Sequence, residues 1–211
     1  MEPQHQSQNS PKPNDSPRWF IALLPPPPLQ QQITAIKQEI CDRYHSRAAL
    51  RSPPHITLQP PFRWPQSQRH QLLEHLGAIA QEHAPVPVQL SGFGAFPPRV
   101  IFIHVVETPQ LMASQPAISQ ALAERLDIVD VRSQRRRFTP HLTVGFRDLR
   151  PKAFRQAWPE FQHRSFQAEF VVPHLTLLRH DGQRWQIDDN CPFAEIPSPS
   201  HGQNTNNPEG N

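Results

Sequence analysis

The chain has 211 residues, enough for one domain or for one domain built of two lobes. A formal net charge of only +3 argues against a protein that coats a polyanion, and two widely separated cysteines, Cys41 and Cys191, do not suggest a disulfide framework or a zinc site. No run approaches the roughly 20 apolar residues of a membrane span and the chain opens without a signal-peptide-like apolar region, so a soluble, cytoplasmic, monomeric protein that touches no membrane is expected.

Residues 1–16 and 197–211 are polar and proline-containing. They hold too little apolar area to offset ordering entropy, and are expected to be disordered tails on a domain spanning residues 17–196. RWFIALL (residues 18–24) reads as a buried strand stopped by four prolines. Residues 29–44 carry Ile33, Ile36, Lys37 and Ile40 at helical spacing. After the extended stretch PPHITLQPPF (residues 53–62), residues 66–83 form the clearest helix, with Leu72, Leu73, Leu76, Ile79 and Ala80 on one stripe. Residues 86–93 and 100–106 predict a hairpin, and 109–126 a helix with Ile118, Leu122 and Leu126 on one face. Residues 135–146 predict a strand, 151–158 a short helix with Pro151 in its first turn, and 166–178 and 184–187 closing strands joined by a turn at Asp181-Gly182. The order suggests two similar α+β lobes, each contributing one histidine-bearing strand.

The pattern His-apolar-Thr-apolar occurs three times, at His55, His141 and His174. With 12 His and seven Thr in the chain, random order would give about 0.05 matches. Strand parity separates the three. At the first, Arg51, Pro53, His55, Thr57 and Gln59 share one face and Pro54, Ile56, Leu58, Pro60 and Phe62 the other. At the second, Arg135, Arg137, Thr139, His141, Thr143, Gly145 and Arg147 form a polar face opposite Phe138, Pro140, Leu142, Val144 and Phe146. At the third, His174 and Thr176 share a face with Phe166, Ala168, Phe170, Val172 and Leu178, so His174 reads as structural. Taken singly, His55 and His141 would be surface histidines on half-exposed strands; their matching context favours a site. An imidazole near its ordinary pKa serves as base when neutral and as acid when protonated, and a threonine two residues on can donate to an anionic oxygen. Two such units across a cleft would bracket a phosphoryl group, with neither metal nor covalent intermediate.

HITL (residues 55–58) and HLTV (residues 141–144), each preceded by proline, resemble the paired signature of the 2H phosphoesterase superfamily. WFIALLPP, LSGFGAFPPRVIFIHV, FTPHLTVGFRDL and LTLLRHDGQRW are similar in kind and order to its 2'-5' RNA ligase-like, cyclic phosphodiesterase branch, over about residues 18–193. The resemblance implies an α+β fold of two similar lobes of antiparallel sheet with flanking helices and a groove between them. It implies His55 and His141 as the acid–base pair and Thr57 and Thr143 as phosphate-binding. It implies opening of a 2',3'-cyclic phosphate on RNA or a nucleotide, reversible as 2'-5' ligation, with no cofactor. Many ligase-like members place an arginine two residues after the second tetrapeptide. Here Gly145 and Phe146 precede Arg147, which falls on the His141 face if the strand stays regular. Arg137 and Phe62 are further candidates for lining the groove.

Three rival readings remain at this level. Twelve histidines invite a metal protein, but threonine stands where a second ligand would be wanted. A non-catalytic RNA-binding module would use the arginines with Phe62, Trp64 and Phe138 as a stacking surface. A related phosphoesterase could act on a small nucleotide or a tRNA fragment.

Overall fold

The computed structural model describes residues 16–130 and 137–195. The tail segments 1–15 and 196–211, and Arg135 with its neighbours, lie outside them. Eight strands form one antiparallel sheet: β1 Arg18–Leu23, β2 Ile56–Arg63, β3 Val86–Phe96, β4 Val100–Val105, β5 His141–Gly145, β6 Gln167–Val172, β7 His174–His180 and β8 Trp185–Pro192. Four helices complete the fold: α1 Pro27–Tyr44, α2 Arg69–Gln81, α3 Pro109–Leu126 and α4 Pro151–Phe161. The strand order β6-β3-β4-β5-β2-β1-β7-β8 divides into two four-stranded lobes that meet at β5 and β2. The expected two-lobed α+β architecture is therefore present.

Local signals account for the helices. Proline occupies the first turn of α1, α3 and α4, where its missing N–H costs no hydrogen bond. The Thr108 hydroxyl accepts from the Leu111 N–H at 3.3 Å and caps α3. The helices cover one face of the sheet. Ile33, Ile36 and Ile40 of α1, Leu72 and Leu76 of α2, Ile118 and Leu122 of α3 and Phe154 and Phe161 of α4 join Ile21, Ile56, Leu58, Ile101, Ile103, Leu142 and Val144 in a single core. Two helices reach across the seam: α1, which connects β1 to β2, packs on β5, and α3, which connects β4 to β5, packs on β2 as well as on β3 of its own lobe.

The sheet must curl. In a flat sheet β6 and β7, first and seventh in order, would stand about 29 Å apart. Only Pro173 separates them in sequence, which allows at most about 7 Å. The other face of the sheet is thereby turned inward. There Phe20, Ala22, Leu24 and Leu178 form a second, small cluster with Trp185 against it.

Two expectations need correction. Residues 166–178 are not one strand: β6 pairs with β3 in one lobe, and β7 with β1 and β8 in the other. Pro173 cannot donate to a ladder, and the chain changes lobes there. The second motif strand is also shorter than expected, since β5 begins at His141, directly after Pro140, and ends at Gly145. Among the described residues no helix is long and apolar enough to cross a membrane.

Candidate active site

Both His-x-Thr segments lie on the seam. Ile56 and Leu142 are Cα partners in the antiparallel pairing of β2 with β5. Continuing that register by one residue sets His55 across from Thr143, and Thr57 across from His141. Ile56, Leu58, Leu142 and Val144 are buried in the core beneath, so the histidines and threonines project from the opposite face of the sheet on the two sides of the seam.

The two histidines are held alike. The Nδ1 of His55 lies 2.7 Å from the Pro53 carbonyl oxygen, and the Nδ1 of His141 lies 2.7 Å from the Thr139 carbonyl oxygen. A carbonyl only accepts, so Nδ1 carries the proton in each neutral ring and Nε2 keeps its lone pair. Neither Nε2, nor the hydroxyl of Thr57 or Thr143, has a hydrogen-bond partner among the described residues. Each ring also leans on a phenylalanine from the adjacent strand. Phe20 lies 4.8 Å from His55, and Phe102 lies 5.2 Å from His141, with Phe96 edge-on at 5.1 Å. Gly94 makes room for this: a Cβ there would come within 2.3 Å of the Phe102 ring.

Burial in this apolar setting pushes His55 down to about 4, against the opposing pull of the Pro53 carbonyl; Lys37 and His141 depress it further. Burial also lowers His141, partly opposed by the Thr139 carbonyl. Lys37, on α1, is only 2% exposed and donates to the Ser52 carbonyl at 3.0 Å, one residue before the Pro53 carbonyl that holds His55. Burial brings its ammonium down to about 7.

Beyond Ile56 and Leu142 the motif strands splay apart, because Pro60, Pro61 and Pro140 have no N–H to pair across the gap. A cleft of about 980 Å³ opens there, lined by Thr57, Gln59, Gln115 and Ser119 of α3, Phe138 and His141. Arg137 also lines it, exposed and ion-paired with Glu107. On the other side of the seam the Asp148 carboxylate accepts from the Arg47 and Ala48 N–H groups at 2.7 and 3.0 Å and from the Ser46 hydroxyl at 2.8 Å. This ties the segment after the second motif to the one before the first.

The remaining candidates are placed differently. Phe62 packs against the helix-side core and does not line the cleft. The strand ends before Arg147, which is exposed in the following turn and stacks over Phe146 at 4.9 Å. His174 is half-buried on β7, and Thr176 is buried, donating to Asn190 at 2.8 Å. Sequence reasoning missed Phe20, Phe102, Lys37, Asp148 and His104, the last directly opposite His141 on β4. The parity of FIH (residues 102–104) with IFIHV was a usable signal for His104, and Lys37 stood at helical spacing with Ile33, Ile36 and Ile40; nothing local pointed to Asp148. Among the described residues no group of three or more His, Cys, Asp or Glu is arranged to hold a metal ion.

The family model described as the 2'-5' RNA ligase superfamily matches residues 25–184. A protein of Geobacillus kaustophilus named as a phosphoesterase is 27% identical over 164 residues, covering 76% of this chain and 87% of that protein. One from Geobacillus thermodenitrificans, similarly named, is 28% identical over 177 residues, covering 82% and 94%. Among solved structures, TT0787 of Thermus thermophilus superposes with a TM-score of 0.60 at 19% identity, over 85% of this chain and 100% of that one. Escherichia coli LigT complexed with 3'-AMP gives 0.60 at 16% identity, over 85% and 99%. LigT has also been solved with ATP. The likeness to these structures is one of fold.

Proposed function

We propose, for a chain that belongs to the 2'-5' RNA ligase superfamily and is thereby a phosphoesterase-type enzyme, that it opens 2',3'-cyclic phosphates on RNA or nucleotides by two-histidine acid–base catalysis. We further infer that residues 17–196 act as one unit, monomeric and in the cytoplasm. The single observation that supports the chemistry is the mirrored fixation of His55 and His141 by main-chain carbonyls on two strands that pair at Ile56 and Leu142, which leaves each Nε2 with its lone pair.

In the forward direction one imidazole, neutral, takes a proton from water as the water oxygen attacks phosphorus. The other, protonated, delivers a proton to the ribose oxygen as its bond to phosphorus breaks. One P–O bond forms, one breaks, and a phosphomonoester results. Thr57 and Thr143 donate to the non-bridging oxygens, where charge accumulates. With a 5'-hydroxyl in place of water the same ring opening forms a 2'-5' bond with the same histidine roles, and the roles are exchanged when that bond is cleaved back to the cyclic phosphate by the 3'-hydroxyl. The two imidazoles supply both proton transfers, so the step requires no metal. The nucleotide ligands named for LigT are compatible with a nucleotide-sized substrate here.

The test is incubation of purified protein with 2',3'-cyclic nucleotides and short RNAs ending in a cyclic phosphate, in EDTA, with identification of the product phosphate. Turnover that His55→Ala and His141→Ala abolish supports the reading. Binding of RNA by wild-type protein without any turnover supports the non-catalytic module instead, and loss of activity in chelator supports a metal enzyme.

A further inference from the structure

A second pocket, of about 480 Å³, lies where the start of β1, the end of β2 and the end of β7 converge, lined by Arg18, Arg63, Gln66, Arg179, His180 and Asp181. Its cations are largely uncommitted. Among the described residues neither Arg18 nor Arg63 is in an ion pair: Arg18 lies over the Trp185 ring at 5.6 Å, and Arg63 donates to the Ser16 carbonyl at 2.9 Å. Arg179 shares Asp188, at 3.3 Å, with Arg69, which holds the same carboxylate at 2.7 Å. The lining carboxylate, Asp181, is occupied by its own turn, accepting from the Gln183 and Arg184 N–H groups at 2.8 Å each and from Gln186 at 3.1 Å.

A row of ring contacts leads from His55 toward the pocket. His55 contacts Phe20 at 4.8 Å, Phe20 meets Trp185 edge-on at 4.6 Å, and Trp185 carries Arg18 on its face and His180 at its edge, 4.8 Å away. These spacings bound the distance from the His55 ring to the Arg18 guanidinium at about 15 Å, roughly two internucleotide steps of an extended single strand. Arg51, exposed on the turn before His55, is close enough to His180 to oppose its protonation.

We propose that this arginine pocket binds a backbone phosphate of a single-stranded RNA, about two nucleotides upstream of the terminal cyclic phosphate held between His55 and His141. Guanidinium groups suit this ligand because they donate in a planar fork to phosphate oxygens. A cyclic phosphate closes the 3' end of its strand, so the rest of the substrate runs in the 5' direction, here across Phe20 and Trp185 into the pocket. The proposal rests on the reaction assigned above and makes the preferred substrate an oligonucleotide rather than a mononucleotide.

The test separates the two. Binding of a fluorescent trinucleotide with an unreactive 3'-phosphate is compared with binding of the mononucleotide 3'-phosphate and of inorganic phosphate, over a range of salt, for wild type and for R18Q/R63Q. The trinucleotide should bind at least tenfold more tightly than the mononucleotide. The double variant should lose most of that advantage, and its log–log salt slope should fall by about one or more. R18K/R63K should recover part of it, and an unchanged melting temperature shows that the lobe is intact. Equal affinity for the two lengths, or equal losses in the variant, overturns the proposal even if cyclic mononucleotides are hydrolysed. Conversely, an arginine-dependent length preference without any hydrolysis sinks the proposed reaction and leaves the phosphate site standing.

Discussion

Ile56 and Leu142 face one another across the seam of the sheet, and the histidines that precede them, His55 and His141, belong to opposite lobes. Each is fixed by a hydrogen bond from Nδ1 to the carbonyl two residues upstream. The first expectation concerns this pair. His55→Ala and His141→Ala should each lower kcat by about 10²–10⁴ on a 2',3'-cyclic nucleotide, and the double variant should lose little more than the worse single one, because the two act as a unit. Steady-state kinetics with circular dichroism as a fold control decides it.

The pH dependence follows from the downward shifts. The free enzyme needs one imidazole neutral and one protonated, and burial lowers both, His55 to about 4. The bell in kcat/KM should therefore be displaced to the acid side of the ordinary histidine range. The bell in kcat should lie higher, since a bound phosphate anion raises both groups. A kcat/KM profile centred at or above pH 7.5 would contradict this assignment.

The same shift sets a stability trend. Between about pH 6.5 and 4 the unfolded chain binds a proton at residue 55 that the folded chain refuses, so this residue's contribution to stability falls as pH falls through that window. His55→Gln should flatten the corresponding part of the denaturation-midpoint curve while leaving it unchanged above pH 7.

Lys37 follows the same logic at higher pH. Its folded pKa near 7 lies below the ordinary lysine value of 10.5, so it destabilises the fold fully below pH 7 and progressively less as pH rises toward 10.5. Lys37→Met should raise stability at pH 6 by roughly 2–4 kcal/mol, net of the lost bond to Ser52, and the gain should vanish near pH 10. Because Lys37 holds the Ser52–Pro53 segment, kcat should fall at the same time; chemical denaturation and kinetics at two pH values read both effects.

Gly94 tests the phenylalanine support of His141. A methyl group there meets the Phe102 ring, which must move away from the imidazole. Gly94→Ala should cut kcat/KM about tenfold, and adding Phe102→Leu should restore part of it. No recovery in the double variant would mean that the ring does not position His141.

The chain's alternation of apolar and polar residues sufficed to single out the two candidate histidines, their threonines and the core faces behind them, because a strand's period of two is a local property. The prolines beside the motifs were equally legible as ladder breakers, though their consequence was not: only when β2 and β5 are neighbours does the loss of N–H groups at Pro60, Pro61 and Pro140 open a cleft. Residues 166–178 read as one strand through Pro173, and nothing near that proline told that the chain changes lobes there. Lys37, Asp148 and the Phe20–Trp185 row touch the site across long stretches of sequence, and such contacts carry no periodic signature. By itself the sequence determined which side chains are polar, where each strand can pair and which imidazoles share a pattern. Which of them meet was decided by the tertiary structure, because curling one sheet around a common core brings together residues that no local preference connects.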